Sequence, residues 1–179
     1  METNTLISLD NLAAVLQAYA EEVRELYKKN LVESDRLATE KLLNSIETEV
    51  VRDGSAYLVT MTLEDYWKYV EYDTKPHWPP PAALLKWITV KPVLPHPDKN
   101  GRLPKPEQLA FLIGRAMAGL SPNQEKCKNP HGGTTGTHDL QDAVTNCNRK
   151  YEQLIAEALA KDLGEGFHAM ILEMLSFKR

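Results

Sequence analysis

A pair of alternating segments joined by a glycine turn is the feature that most limits what this chain can fold into. Apolar and polar residues alternate over 46–51 and again over 57–61, which is the period of a strand with one buried face. Between them stands Arg52-Asp53-Gly54-Ser55, where Gly54 supplies the positive φ of a tight turn. We therefore expect an antiparallel β-hairpin that the rest of the chain must cover.

Helical periodicity lies on both sides of this hairpin. Apolar residues recur every three or four positions over 9–29, which predicts an amphipathic helix. Further helices are predicted over 35–45, 82–87, 106–118 and 138–163, and Gly164 and Gly166 are expected to interrupt the last one before a final apolar segment. The predicted fold class is α+β: a small twisted antiparallel sheet with a β-hairpin, flanked by an N-terminal amphipathic helix and C-terminal helices.

The residue counts exclude several classes of protein. The 179 residues carry a formal net charge of −4, which disfavours a protein that grips nucleic acid through phosphates. No run of 18 apolar residues occurs, so no membrane span is expected. Two cysteines cannot build a disulfide scaffold, and the N-terminus does not resemble a signal peptide, so synthesis in the cytoplasm is expected.

The segment 66–80, called the aromatic–proline segment below, is the most unusual part of the sequence. Four aromatic rings fall within 66–72, and three consecutive prolines follow at 79–81. One interpretation is that the rings cover the hairpin while the prolines stiffen the exit. The other is that residues 75–80 form a rigid loop facing a neighbouring subunit, because proline lowers the entropy lost on binding and Trp and Tyr are favoured interface anchors.

Two sequence elements resemble the head–tail joining, or tail-completion, proteins of long-tailed bacteriophages. That family typically carries L-x-x-S-I, a hairpin, and Y-A-x-Y-V-E-[FY]-G-T-[KR]-P-H. The matching residues are Leu42, Ser45, Ile46, Tyr66, Tyr69, Val70, Glu71, Tyr72, Thr74, Lys75, Pro76 and His77. Asp73 stands where the family has Gly, and Asp also tolerates left-handed backbone.

The resemblance covers roughly residues 1–119, which we expect to form a tail-completion-like domain. The polar, glycine-rich composition of 120–137 predicts an exposed loop. A helical segment of the same domain is expected over 138–179, although the family usually ends earlier. The resemblance implies a structural virion protein, at the neck or tail end, that forms a ring of commonly six subunits. The implied partners are copies of itself, the neck or connector protein and the tail tube protein. DNA passes through the lumen without specific binding, and no catalysis, cofactor, metal or membrane is implied.

The residues expected at an oligomer or partner interface are Glu71, Tyr72, Lys75, Pro76, His77, Trp78, Pro79 and Pro80. For Glu71 two roles stay open: a local ion pair with Lys75, or a contact with a basic residue across the interface, where it would fix register. A ring that conducts DNA should have few exposed cations in its lumen, because cations bind phosphates tightly. The negative net charge is consistent with such a lumen, so no measurable duplex binding is expected at physiological salt.

Two alternatives remain. The first is an assembly module of another phage-tail-like machine, such as a contractile tail. The second is a zinc-binding enzyme, since Cys127, His131, His138 and Cys147 are suitable ligand types. Their spacing fits no standard zinc pattern, and no nucleophile-elbow, zinc-protease or phosphate-loop motif occurs. The sequence therefore favours an assembly protein that is not an enzyme.

Overall fold

Two strands and six α-helices form the framework of the residues that the structure describes. The computed structural model describes residues 8–35, 40–54, 56–91, 93–97 and 99–176. The elements are α1 (Asp10–Glu33), α2 (Lys41–Ser45), β1 (Glu47–Asp53), β2 (Ala56–Thr62), α3 (Trp67–Glu71), α4 (Pro81–Val90), α5 (Pro106–Met117) and α6 (Asp139–Ser176). The predicted α+β class is confirmed.

The hairpin has the register that its sequence pattern predicts. Strands β1 and β2 pair antiparallel, with Val50 opposite Val59 and Asp53 opposite Ala56. Gly54 has a φ of 59°, the left-handed backbone that glycine adopts without steric cost. Thr48 lies opposite Met61, so these two side chains share a face with the valine pair.

By packing, the chain divides into two compact units. Unit 1 comprises Met1–Glu33, Ser45–Leu63 and Asp139–Arg179, and unit 2 comprises Ser34–Asn44 and Glu64–His138. The predicted domain over 1–119 is thus divided between the units, and the predicted loop over 120–137 belongs to unit 2. The first helix and the hairpin group instead with the C-terminal helix.

Unit 1 is built on an antiparallel pair of long helices, α1 and α6. Their shared core contains Val23, Cys147 and Tyr151, with Met61 of the hairpin packed against it. The rings of Tyr19 and Tyr151 meet edge to face with centroids 5.6 Å apart, a favourable aromatic geometry. Burial of an apolar stripe on each helix therefore holds the pair together and places the hairpin.

Both long helices differ from their predicted bounds. Helix α1 runs to Glu33 rather than to residue 29, and Leu31 near its end is fully buried. Helix α6 continues through Gly164 and Gly166 to Ser176, so the predicted interruption was wrong. A helical glycine costs only about 1 kcal/mol relative to Ala, which does not end a helix.

No described helix, α6 included, is both long and apolar enough to cross a membrane.

A buried carboxylate on α6 caps the start of α1. Asp162 is 3% exposed, and its oxygens accept hydrogen bonds from the backbone N–H groups of Asn11 at 3.1 Å and Leu12 at 2.8 Å. These are among the first N–H groups of α1, which have no partner within the helix. Burial disfavours the charged form, but the hydrogen bonds from Asn11 and Leu12 outweigh it and hold the pKa of Asp162 below its usual value.

We expect Asp162→Asn to lower the melting temperature of unit 1 at neutral pH. A group whose pKa is lowered by folding stabilises the protein above its unfolded pKa of about 3.9, and this stabilisation is lost as the pH falls through the folded pKa. The difference between the two proteins should therefore shrink below about pH 4. Thermal melts followed by circular dichroism from pH 7 to pH 3 measure it. Glu152→Gln, at an exposed position of α6, is the control, and a gap independent of pH would contradict the capping role.

Unit 2 is built around the contact between α4 and α5. A Cβ placed on Gly114 of α5 would lie 3.3 Å from Leu84 of α4 and 3.4 Å from the indole of Trp78, so the helices approach closely where glycine leaves room. The predicted helices over 82–87 and 106–118 are observed as α4 and α5. Of the predicted helix over 35–45, the structure shows α2, and residues 36–39 lie outside the described part.

Candidate interaction surface

The aromatic–proline segment is held in place by residues 132–137, called the glycine loop below. Thr74 and Thr134 form an antiparallel bridge in which the Thr74 N–H donates to the Thr134 carbonyl at 2.9 Å. The N–H groups of Thr137 and His138 donate to the carbonyls of Val70 at 3.0 Å and Glu71 at 3.1 Å. The two segments are therefore joined by backbone hydrogen bonds although about 60 residues separate them in sequence.

Side chains of the aromatic–proline segment strengthen this pairing. The hydroxyl groups of Thr74 and Thr134 lie 2.8 Å apart, and the Thr134 N–H donates to the Thr74 hydroxyl at 2.9 Å. The Gly136 N–H donates to the Asp73 carboxylate at 2.8 Å, a charge-assisted bond. Asp73 does not adopt the left-handed backbone considered for it; positive φ is found instead at Gly132, Gly133 and His138.

The glycines are required because backbone packs directly on backbone. A Cβ on Gly133, whose φ is 75°, would collide with the Thr74 carbonyl. A Cβ on Gly136 would collide with the Glu71 carbonyl and lie 2.6 Å from the Cα of Tyr72. Both glycines are buried. The prediction that 120–137 is a wholly exposed loop therefore needs correction, because its glycine-rich end is packed inside unit 2.

The end of α5 anchors both segments. The carbonyl of Met117 accepts hydrogen bonds from the N–H groups of Gly133 at 2.7 Å and His77 at 3.3 Å. The Gln124 side-chain amide donates to the carbonyls of Ala116 at 3.0 Å and Asn129 at 2.9 Å. The loop is thus ordered by hydrogen bonds that satisfy backbone groups left over at the helix end.

Six of the eight predicted interface residues are exposed and two are not. Tyr72 is 49% exposed and Trp78 is 43% exposed, and the others at the surface are Lys75, Pro76, His77 and Pro80. Glu71 is 1% exposed, and Pro79 is buried as well. Because Glu71 lies where the glycine loop covers the chain, it does not reach the surface of unit 2 for a contact across an interface, and its local ion pair with Lys75 stays a prediction.

A cationic groove with aromatic walls lies along the exposed part of this segment. It has a volume of about 480 Å³, and its charged lining residues are two lysines, Lys68 and Lys75, and one carboxylate, Asp73. The rest of its lining includes Tyr69, Tyr72, Pro76 and His77. The Lys68 ammonium lies 5.4 Å from the centre of the Tyr69 ring, within cation–π distance. Flat rings beside cations suit recognition of an acidic protein surface.

Two residues of this surface, Tyr69 and Phe111, are not among the predicted interface residues. One interpretation of the sequence has the ring of Tyr69 covering the hairpin, but the structure leaves Tyr69 61% exposed. Phe111 of α5 was not selected, yet its ring lies 5.5 Å from that of Trp78 and is 55% exposed. Tyr69 could have been selected from the sequence, because it matches the same motif as Tyr72. Phe111 could not, because only the tertiary structure brings its ring close to Trp78.

The candidate zinc ligands do not form a cluster in the described part of the chain. No group of three or more His, Cys, Asp or Glu side chains there is arranged to hold a metal ion. Cys147 is 1% exposed within the unit 1 core, and burial raises the pKa of its thiol. This is the environment of a cysteine that packs as a small apolar side chain.

The net charge of −4 is divided unequally between the units. Unit 1 contains 16 acidic and nine basic residues, a net charge of −7, whereas unit 2 contains nine acidic and 12 basic residues, a net charge of +3. The candidate surface therefore belongs to the unit with positive net charge. The net charge of the whole chain does not reveal this difference between the units.

No protein-family model matches this chain, and no curated protein or solved structure is significantly similar to it. What the surface can do is therefore inferred from its own side chains and from the sequence elements described above.

Proposed function

We propose that this protein is a structural component of a long-tailed bacteriophage that joins the tail to the head at the neck, as a ring around the DNA channel. It acts through protein–protein contacts. The observation that carries the proposal is the exposed aromatic and cationic surface of the aromatic–proline segment, held rigid by the glycine loop. The resemblance of this segment and of the preceding hairpin to tail-completion proteins supplies the biological context.

The geometry suits an assembly role because the surface is ordered before any partner binds. Binding costs free energy when loops and side chains become immobilised, and prior order reduces that cost. Here the prolines restrict the backbone, and hydrogen bonds from the glycine loop hold Thr74 and Asp73. Tyr69, Tyr72 and Trp78 then present rings of the type that dominates interface energies.

The proposed partners are copies of the protein itself, forming a ring of six, together with the neck or connector protein and the tail tube protein. The proposed location is the neck or tail end of the virion, after synthesis in the cytoplasm of the bacterial host. DNA passes through the lumen without specific binding.

We expect virus preparations lacking this protein to accumulate full heads and separate tails, and infectious titre to fall to background. The reason is that neither half of the particle can close the neck without the ring. Electron microscopy and plaque counts measure the outcome, and complementation with the wild-type chain is the control. Normally joined particles in its absence would disprove the proposed function.

A further inference from the structure

The last 14 described residues of α6, 163–176, form a helix, called the α6 extension below, that α1 does not cover within the described residues. Helix α1 begins at Asp10, beside Asp162, so it covers α6 only up to that point. None of the residues 163–176 is buried. Their seven large apolar side chains range from 37% to 61% exposed: Leu163, Phe167, Met170, Ile171, Leu172, Met174 and Leu175. At 1.5 Å per residue, the α6 extension is about 21 Å long.

The spacing in the α6 extension is that of a helix that packs against a partner. Leu163, Phe167, Met170 and Met174 follow one another at intervals of four, three and four, the pattern of a heptad seam. A patch of this kind on a soluble protein marks an interaction site. The α6 extension also carries Glu165 and Glu173 and no Lys or Arg, and the nearest cation before it is Lys161, 4.0 Å from Glu165. Two extensions packed together would therefore bring the Glu173 carboxylates into proximity.

A groove in unit 2 has the complementary properties. The α5 groove, of about 920 Å³, has Leu103, Phe111 and Leu112 in its lining, together with two cations, Arg102 and Lys105, and one carboxylate, Glu107. Leu103 is 62% exposed, Phe111 55% and Leu112 49%. Residues 99–115 around it carry four Lys or Arg and one Glu. The α5 groove thus combines apolar contact area with positive charge.

We propose that the α6 extension of one copy docks into the α5 groove of a second copy. An amphipathic helix in an apolar groove is a common mode of protein recognition, and the acidic extension opposite the basic groove directs it there rather than to another extension. Because donor and acceptor surfaces differ, the contact is heterologous, and repetition of such a contact closes a ring when the rotation permits. The inference rests on the self-association in the proposed function and names the two surfaces that meet.

Sedimentation velocity of the full chain over a concentration series tests this pairing. We expect self-association that weakens as salt rises. Phe167→Asp with Met170→Asp, and separately Phe111→Asp with Leu112→Asp, should each weaken it by roughly 30-fold or more. Leu58→Asp, at a position of β2 that is 51% exposed, is the matched control and should associate normally. Circular dichroism melts establish that each variant is folded.

A mixing experiment distinguishes this heterologous contact from a symmetric one. The extension variant and the groove variant should each associate only weakly alone, yet form a one-to-one dimer when mixed, because one intact pair of surfaces remains. Reversing Glu165 and Glu173 to Lys together with Lys105→Glu should restore part of the association lost in either change alone. A chain that stays monomeric at its highest soluble concentration, or groove variants that associate normally, would overturn the proposal. Those results leave the neck assignment untouched, which the virus lacking this protein tests separately.

Discussion

Gly136→Ala is expected to unfold unit 2 while unit 1 stays folded. The added Cβ would collide with the carbonyl of Glu71 and crowd the backbone of Tyr72. Because these are main-chain atoms, they cannot relieve the collision by rotating away, as a flexible side chain could. Overpacking against rigid surroundings costs about 3 kcal/mol or more. It would also break the hydrogen bond from the Gly136 N–H to Asp73, which helps to hold the aromatic–proline segment.

Spectroscopy can follow each unit separately in the full chain. All three tryptophans, Trp67, Trp78 and Trp87, belong to unit 2, so denaturation followed by their fluorescence reports on that unit. Helices α1 and α6 contribute 24 and 38 helical residues, so far-ultraviolet circular dichroism reports chiefly on unit 1. Gly136→Ala should change the fluorescence transition strongly and the dichroism transition little.

Gly164→Ala is the matched control, with the same chemical change in unit 1. Nothing lies within 4 Å of a Cβ placed on Gly164, and Ala is better than Gly in a helix by about 1 kcal/mol. This variant should therefore be slightly more stable than the wild type. Equal, small effects of the two substitutions would show that the glycine loop does not pack on the aromatic–proline segment as described.

Local patterns predicted the elements whose residues are close in sequence. The hairpin follows from alternation around Gly54, and α5 follows from Pro106 at its start and an apolar stripe. The end of α1 and the continuity of α6 could not be derived in this way. The end of α1 depends on the burial of Leu31 in the tertiary structure. The continuity of α6 depends on the small cost of a helical glycine, whereas the sequence rule treats glycine as a helix breaker.

The candidate surface was predicted in part, for a similar reason. Exposure of Lys75 and Pro76 agrees with the prediction of a surface loop, because charged side chains and prolines are mostly exposed. The burial of Glu71 and Pro79 depends on the tertiary fold of unit 2, and no local sequence pattern predicts this burial. The role of the glycine loop was also missed, since the bond between Thr74 and Thr134 joins positions 60 residues apart.

Reversing the charge of the cationic groove is expected to impair the proposed joining of tail and head strongly without unfolding the protein. Lys68 and Lys75 line this groove and are exposed, so Lys68→Glu with Lys75→Glu should leave the tryptophan fluorescence transition nearly unchanged. Like charges brought together at an interface cost several kcal/mol, and about 2.7 kcal/mol is a hundredfold loss of affinity. In virus complemented with this variant, we expect infectious titre to fall by roughly 100-fold or more.

Lys86→Glu with Lys126→Glu makes the same change in net charge on the same unit and serves as the control. Both lysines are exposed and neither lines the cationic groove, so the titre should match that of the wild type. If both pairs of substitutions lower the titre equally, the effect comes from the overall field of unit 2 and not from its groove. If only the groove pair lowers it, while the protein stays folded, the proposed partner at the neck presents negative charge to Lys68 and Lys75.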